Sequence, residues 1–276
     1  MSRPMYFPPA PFELAEAVRC TRLVEAAYDM YSQWKAQSRP AASAFQWVPK
    51  CRFDLEFSAP IWAEDSELWI LERSEPFAFV AWSRDAELYL VIRGTESVED
   101  WAVDASVDLT DYALVPGYGR VHAGFYRVYA SMSDAVRGAV TAACAKVGQP
   151  EALYITGHSL GSSLATLAVP DLLTHSPVSE HSMRIKQYNL ASPRTGNTSF
   201  AAAYNQNGVV TYRIVNSTDV VPEVPPSILG TEMFEHIGIP VAYSAQYDSL
   251  AGNHSITDSY AYALLHPEQP QGPRVS

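Results

Sequence analysis

An α/β protein with a central, mostly parallel sheet flanked by helices is predicted by three features of the chain. Strand-like and helical stretches alternate through its second half. A short apolar strand runs into a Gly-x-Ser-x-Gly turn and on into a helix with an apolar stripe. The 276 residues, 47% of them apolar, are enough to bury a sizeable core.

The elements follow from local pattern. Residues 12–36 read as a helix, with Leu14, Val18, Val24 and Tyr28 among its apolar positions. Pro40 and Pro49 bound a looser connection. Strand-like runs at 67–71, 77–83 and 88–93 look like antiparallel strands linked by hairpins. The interval 94–121 is long and polar. A helix over 134–147 places Val136, Val140, Cys144 and Val147 on one face and stops at Gly148. A buried strand at 152–156, a helix at 160–173, strands at 184–190 and 209–215, and a helix from near Ser255 to before Pro267 complete the order. No repeat, low-complexity tract or linker divides the chain, so residues 1–276 are expected to form one domain.

Composition excludes several classes. A net charge of −11 repels phosphate backbones and anionic membranes, so no nucleic-acid partner is expected, while neutral lipid stays accessible. Charged residues at 18% fit a globular chain. The three cysteines, Cys20, Cys51 and Cys144, include no close pair and suggest neither a disulfide framework nor a metal site. They read as small buried apolar residues, with one bridge left open. The N-terminal stretch has no apolar run of signal-peptide length, and no run of about 18 apolar residues occurs anywhere. The expectation is a chain without a transmembrane segment, cytoplasmic as written or secreted if a leader has been removed.

The chemistry begins at Gly157-His158-Ser159-Leu160-Gly161. A serine on a sharp strand-to-helix turn sits in strained backbone, and side chains two residues either side would collide, so both positions are glycine. The turn aims Oγ off the sheet at a helix N-terminus, where the dipole and free N–H groups favour developing negative charge. The bare pattern arises by chance about once in ten chains of this size. Its context is what counts: Leu153-Tyr154-Ile155 before it, and the stripe Leu160, Leu164, Leu167 and Ala168 after it.

A serine nucleophile needs a base and an orienting acid, which on this architecture follow in the order Ser, acid, His. His158 sits on the turn itself and cannot reach back for its neighbour's proton. His175 and His181 precede the candidate acid, which leaves His236, His254 and His266. Asp171 lies far down the helix, whereas Asp219 follows the strand 209–215 at the end where open parallel sheets place their sites. His254, in Ala-Gly-Asn-His-Ser before a helix, is the favoured base, because Ser255 and Asp258 have the spacing of a cap that would hold its loop. His236 stays as the second candidate.

These residues, with others, resemble the class-three, fungal-type lipases, which are α/β-hydrolases. The resemblance rests on five blocks in order: Val91-Ile92-Arg93-Gly94-Thr95-Glu96-Ser97 with Asp100-Trp101 and Asp104; Val121-His122-Ala123-Gly124-Phe125; Gly157 to Gly161; Asn216-Ser217-Thr218-Asp219-Val220-Val221-Pro222; and His254-Ser255 with Tyr260. The set is specific where each block alone is not. It implies a triad of Ser159, Asp219 and His254, and an oxyanion hole from the backbone and hydroxyl of Thr95 with the backbone N–H of Leu160. Thr95 also ends a strand turning at Gly94, a sensible place for such a donor. Val221 and Val224 occupy positions that line the family's acyl groove; plain core packing is the alternative for both. The interval from Asp219 to His254 is shorter than in typical fungal members, and the usual disulfides are missing, which fits a bacterial or intracellular member better.

Residues 96–111 carry six acids and no lysine or arginine. On a helix, Val98, Trp101, Ala102, Ala105 and Leu109 fall on one side, although Val103 and Val107 fall opposite. This is either an ordinary surface helix with an acidic face or, as the resemblance implies, a lid over the acyl groove, with Trp101 meeting substrate and opening at a lipid–water interface.

The expected chemistry is two-step acyl transfer through an acyl-enzyme, with no cofactor and no metal. Three functions stay open: a lipase acting on acylglycerols, a soluble esterase for short or aromatic esters, and a non-catalytic scaffold. The partner expected is a small-molecule or lipid ester. Chain-length preference, positional selectivity and oligomeric state are not written in the sequence.

Overall fold

In the computed structural model, which describes residues 2–8, 12–64, 74–95 and 108–273, the first element is helix α1 (Leu14–Ala36). Strands β1 (Leu55–Phe57), β2 (Ile61–Ala63), β3 (Glu75–Ser83) and β4 (Glu87–Ile92) follow. After β5 (Leu109–Asp111) and β6 (Arg120–His122) come α2 (Ala123–Val147), β7 (Ala152–His158) and α3 (Leu160–His175). The second half continues through β8 (Arg184–Leu190), β9 (Gly196–Asn197), α4 (Thr198–Asn205), β10 (Val210–Asn216), β11 (Ile228–Leu229), β12 (Glu232–Glu235) and β13 (Ile239–Tyr243). It ends with α5 (Leu250–His254), a wide helical turn Ile256–Ala261 and α6 (Tyr262–Leu265).

Among the described residues, eight strands make the main sheet, in the order β1-β3-β4-β7-β8-β10-β13, with β2 also paired to β3. From β4 to β13 every pairing is parallel; β1, β2 and β4 run antiparallel to β3. Alternation along the central strands decides what each face covers. Leu88, Leu90 and Ile92 point into a core with α2 and α3, while Tyr89 and Val91 point into a second core with α1 and the C-terminal helices. Burial on both faces explains the continuous apolar runs of β3 and β7.

Most predicted elements lie where the patterns place them. Helix α2 begins at Ala123, well before the expected 134. Its apolar stripe already runs through Phe125, Val128, Tyr129 and Met132. The cap is unusual: His122 Nδ1 accepts the N–H groups of Gly124 and Phe125 at 3.1 and 3.4 Å, a role more often filled by Ser, Thr, Asp or Asn. The predicted strand 67–71 lies outside the described residues. So does residue 96–107 of the candidate lid, Trp101 included; the helical reading fails at its end, since Leu109–Asp111 is a strand paired with β6. Leu109 therefore lies opposite His122 in a ladder and not on a helix face. The sequence patterns do not predict the sheet β11-β12-β9-β6-β5, α4 or β13. All three cysteines are free thiols, with Cys20 and Cys144 buried. Among the described residues, no helix is long and apolar enough to cross a membrane.

Candidate active site

The parallel strands end on one side of the sheet, and Thr95, Ser159, Asp219 and His254 of the predicted site residues gather there, while Trp101 lies outside the described residues. Strand β7 runs through Ile155 and Thr156 to Gly157 and His158, and α3 starts at Leu160. Between them Ser159 has φ 58° and ψ −129°, left-handed backbone that costs a non-glycine residue about 1–3 kcal/mol. Its surroundings hold it there. Ser159 N–H donates to the Leu190 carbonyl at 2.9 Å, and Ser162 Oγ lies 2.8 Å from the Gly157 and Leu190 carbonyls. A Cβ on Gly157 would overlap the Gly161 carbonyl, and a Cβ on Gly161 would overlap the carbonyls of Ile92 and Arg93 on β4. Both glycines thus serve close backbone approach. As the first residue of α3, Leu160 presents an N–H with no intrahelical acceptor, while its side chain is buried in the α2–α3 core.

The candidate acid, Asp219, lies in the segment after β10. Asp219 Oδ2 accepts His254 Nδ1 at 2.7 Å and the Tyr260 hydroxyl at 2.7 Å, and Oδ1 accepts the Val221 N–H at 3.0 Å. Burial and the neighbouring Asp219 charge push the Tyr260 hydroxyl well above its ordinary pKa, so it remains a donor. The segment that carries His254 is tied to the end of β10 by Asn216. Its amide nitrogen donates to the carbonyls of Ala245 and Asn253, at 2.9 and 3.1 Å, and its oxygen accepts Ala245 N–H at 3.0 Å. His254 ends α5 and does not lie in an open loop. The expected cap follows it: Ser255 Oγ accepts Asp258 N–H at 3.0 Å and donates to the Asp258 carboxylate at 2.9 Å.

Three polar atoms of this region are buried without a hydrogen-bond partner among the described residues: Ser159 Oγ, His254 Nε2 and Thr95 Oγ1. Buried polar groups are nearly always paired, because leaving one unpaired costs about 1–3 kcal/mol. Three such atoms on the predicted nucleophile, base and oxyanion donor mark a place built to receive a polar reactant. Their neighbourhood is shared. A Cβ on Gly94, next to Thr95, would lie 2.9 Å from Ser159 Cβ, and the His158 and His254 rings are 4.5 Å apart.

The other candidates separate cleanly. His236 Nε2 lies 2.9 Å from the Pro222 carbonyl and, among the described residues, no carboxylate holds its ring; burial, then the charges of Arg213 and Arg194, depresses it to about 3. Asp171 is buried against Tyr129 and Arg137, at 2.7 Å each, under α2. Val221 is fully buried and its N–H serves Asp219; Val224 is half-buried, its carbonyl accepting Arg194 N–H at 2.9 Å. Pattern alone places Tyr28 among the apolar positions of α1 and His158 in the elbow, excluded as base, yet both contact the site. Asn216 and Tyr260 were seen only as family positions.

Fold and site together define a protein of the α/β-hydrolase type. The model of the class 3 lipases matches residues 89–228, and the chain belongs to that family. A lipase of Rhizopus niveus is 31% identical over 199 residues, covering 70% of this chain and 45% of its own. A secreted mono- and diacylglycerol lipase of Fusarium solani is 32% identical over 145 residues, covering 52% of this chain and 41% of its own. The chain therefore spans less than half the length of these relatives. A solved triacylglycerol lipase, described as having a serine protease triad as its catalytic centre, superposes with a TM-score of 0.64 at 25% identity, over 85% of this chain and 81% of that one.

Proposed function

We propose that this chain, acting as one domain, is a carboxylic ester hydrolase that cleaves acylglycerols through Ser159, His254 and Asp219. The observation that carries the reading is the buried His254–Asp219 pair at 2.7 Å, with His254 Nε2 and the Ser159 hydroxyl both buried and without a hydrogen-bond partner among the described residues.

The hydrogen bond to Asp219 keeps the imidazole proton on Nδ1 and leaves the Nε2 lone pair to take the Ser159 proton as Oγ attacks the ester carbonyl. The three donors on Asp219 hold the carboxylate where it can stabilise the imidazolium that forms. The oxyanion is met by the N–H and hydroxyl of Thr95 and the N–H of Leu160, each worth on the order of 3 kcal/mol in the transition state. The alcohol leaves with the proton from His254. Water then attacks the acyl-enzyme, gives its proton to His254, and the acid departs as Ser159 recovers its own. Val221, Val224 and Trp101 are proposed to border the acyl chain. The neighbouring lipases support acylglycerols as the substrate class.

Initial rates on a triacylglycerol series, below and above each solubility limit, test this with Ser159→Ala alongside. A Ser159-dependent rate jump at the interface with long chains is expected. Saturation with short chains only makes it a soluble esterase. Activity surviving in Ser159→Ala overturns the proposal.

A further inference from the structure

Gly94, the second residue past β4, and His254, the residue closing α5, are joined by three hydrogen bonds that pass through Tyr28 and His158. Gly94 N–H donates to Tyr28 Oη at 3.1 Å, Tyr28 Oη lies 2.8 Å from His158 Nδ1, and His158 Nε2 lies 2.9 Å from the His254 carbonyl. Directions follow from chemistry. A carbonyl only accepts, so His158 carries its proton on Nε2. Nδ1 of the neutral ring is then an acceptor, which makes the Tyr28 hydroxyl its donor. The phenol oxygen keeps lone pairs for Gly94 N–H. Every donor points the same way along the series, the arrangement in which hydrogen bonds reinforce one another.

We propose that Tyr28 and His158 are positioning residues for the hydrolysis: a neutral bridge that sets where the Thr95 donors stand relative to His254. The inference rests on reading Ser159, His254 and Thr95 as the reacting groups. One end of the bridge is the backbone of Gly94, immediately before Thr95. The other is the backbone of the base itself. Between them lies His158, immediately before the nucleophile. Three of the four groups that must be arranged for acyl transfer are thus one residue or less from a member of the bridge.

Two further observations fit. A Cβ on Gly94 would lie 2.6 Å from Tyr28 Oη and 2.7 Å from the His158 carbonyl, so the strand end approaches the phenol as closely as glycine allows. His158 is only 3% exposed, and burial, then the nearby His254, holds it well below the ordinary histidine pKa. It stays neutral, so it does not place a second cation 4.5 Å from the imidazolium of the reaction. Tyr28 sits on α1, outside residues 89–228 that match the family model. The N-terminal helix is thereby part of the site's support as well as a cover for the sheet.

The test uses the full chain with soluble p-nitrophenyl butyrate, and counts competent sites by titration with a fluorophosphonate. Tyr28→Phe keeps the ring and removes the hydroxyl. Sub-ångström displacement of reacting groups costs up to about a hundredfold, so kcat per titrated site is expected to fall about ten- to a hundredfold with KM within about twofold. Affinity for an aryl boronic acid, whose tetrahedral adduct places oxygen on the oxyanion donors, is expected to fall in parallel. A purely structural role would lower the melting temperature and the titrated fraction and leave kcat per site unchanged; that result overturns the proposal. His158→Gln, which keeps a donor for the His254 carbonyl and loses the ring acceptor, provides a second variant should Tyr28→Phe not fold. Tyr28→Phe/His158→Gln is expected to be no worse than the poorer single variant, and multiplying losses would sink the bridge. Wild-type turnover that does not depend on Ser159 would instead remove the hydrolase reading itself.

Discussion

The buried pair of Arg93 and Glu75 ties the stability of the fold to the geometry of the site. Arg93 Nη2 meets Glu75 Oε2 at 2.6 Å, and the two side chains are 1% and 11% exposed. The guanidinium lies between the rings of Tyr31 and Phe77, 3.8 and 4.1 Å from their centroids. Nε donates to the Pro76 carbonyl and Nη1 to the Gly94 carbonyl, at 2.9 and 2.7 Å. Desolvation lowers the Arg93 pKa, and Glu75 opposes it. Glu75→Gln keeps the shape and an acceptor but removes the charge. Breaking one side of a buried pair costs about 3–5 kcal/mol, and the retained acceptor places this variant at about 3. Unfolding entropy at the midpoint is about 2.1 cal/mol/K per residue, or about 0.6 kcal/mol/K for 276 residues. The expected loss in Tm is therefore about 5 °C. Urea melts followed by tryptophan fluorescence would give the free energy, and a thermal melt the shift. Because Arg93 also holds the Gly94 carbonyl, kcat should fall as well. An unchanged urea midpoint would refute the reasoning, since it would mean that the buried guanidinium needs no counter-charge.

Tyr260→Phe removes one of three donors to Asp219; a hydrogen bond to a charged group is worth about 1.5–3 kcal/mol, so kcat should drop about tenfold or more, and an unaltered kcat would show the remaining donors to suffice. Gly161→Ala drives a methyl into two backbone carbonyls of β4, at a cost of about 1–3 kcal/mol or more; the melting temperature and fluorophosphonate labelling of Ser159 should both fall, and a variant with wild-type values in both would contradict the packing argument. Burial first, then the charge of Arg127, depresses His122 to about 4, and His236 is held at about 3. The unfolded chain protonates these rings near 6.5 while the folded chain does not, so the stability they contribute is complete above about 6.5 and lost as pH falls toward 4. Urea midpoints at pH 7, 5.5 and 4.5 should decline, with His236→Gln flattening the slope; midpoints that do not move would refute it.

What the sequence by itself determined is local. The elbow is legible because its constraints act within five residues and the strand beside them: glycine at 157 and 161 where no Cβ fits, an apolar strand before, a striped helix after. The parallel sheet is legible because buried strands and their crossover helices carry strong periodic patterns. The small second sheet is not, since two- to four-residue strands such as Gly196–Asn197 contain too few side chains to show alternation. Nor is the start of α2, because His122 is an uncommon cap. Only the tertiary structure decided what depends on meetings between distant residues. Sequence favours His254 over His236 only through the cap spacing that follows it and the family resemblance; the contact that separates them is Asp219, 2.7 Å from the His254 ring, where His236 meets a backbone carbonyl. Tyr28 has the spacing of an ordinary core residue of α1; its hydroxyl gains meaning only where the helix packs against the ends of β4 and β7. Hydrogen bonds reach about 3 Å and know nothing of sequence separation, so such partnerships exist only once the chain has folded.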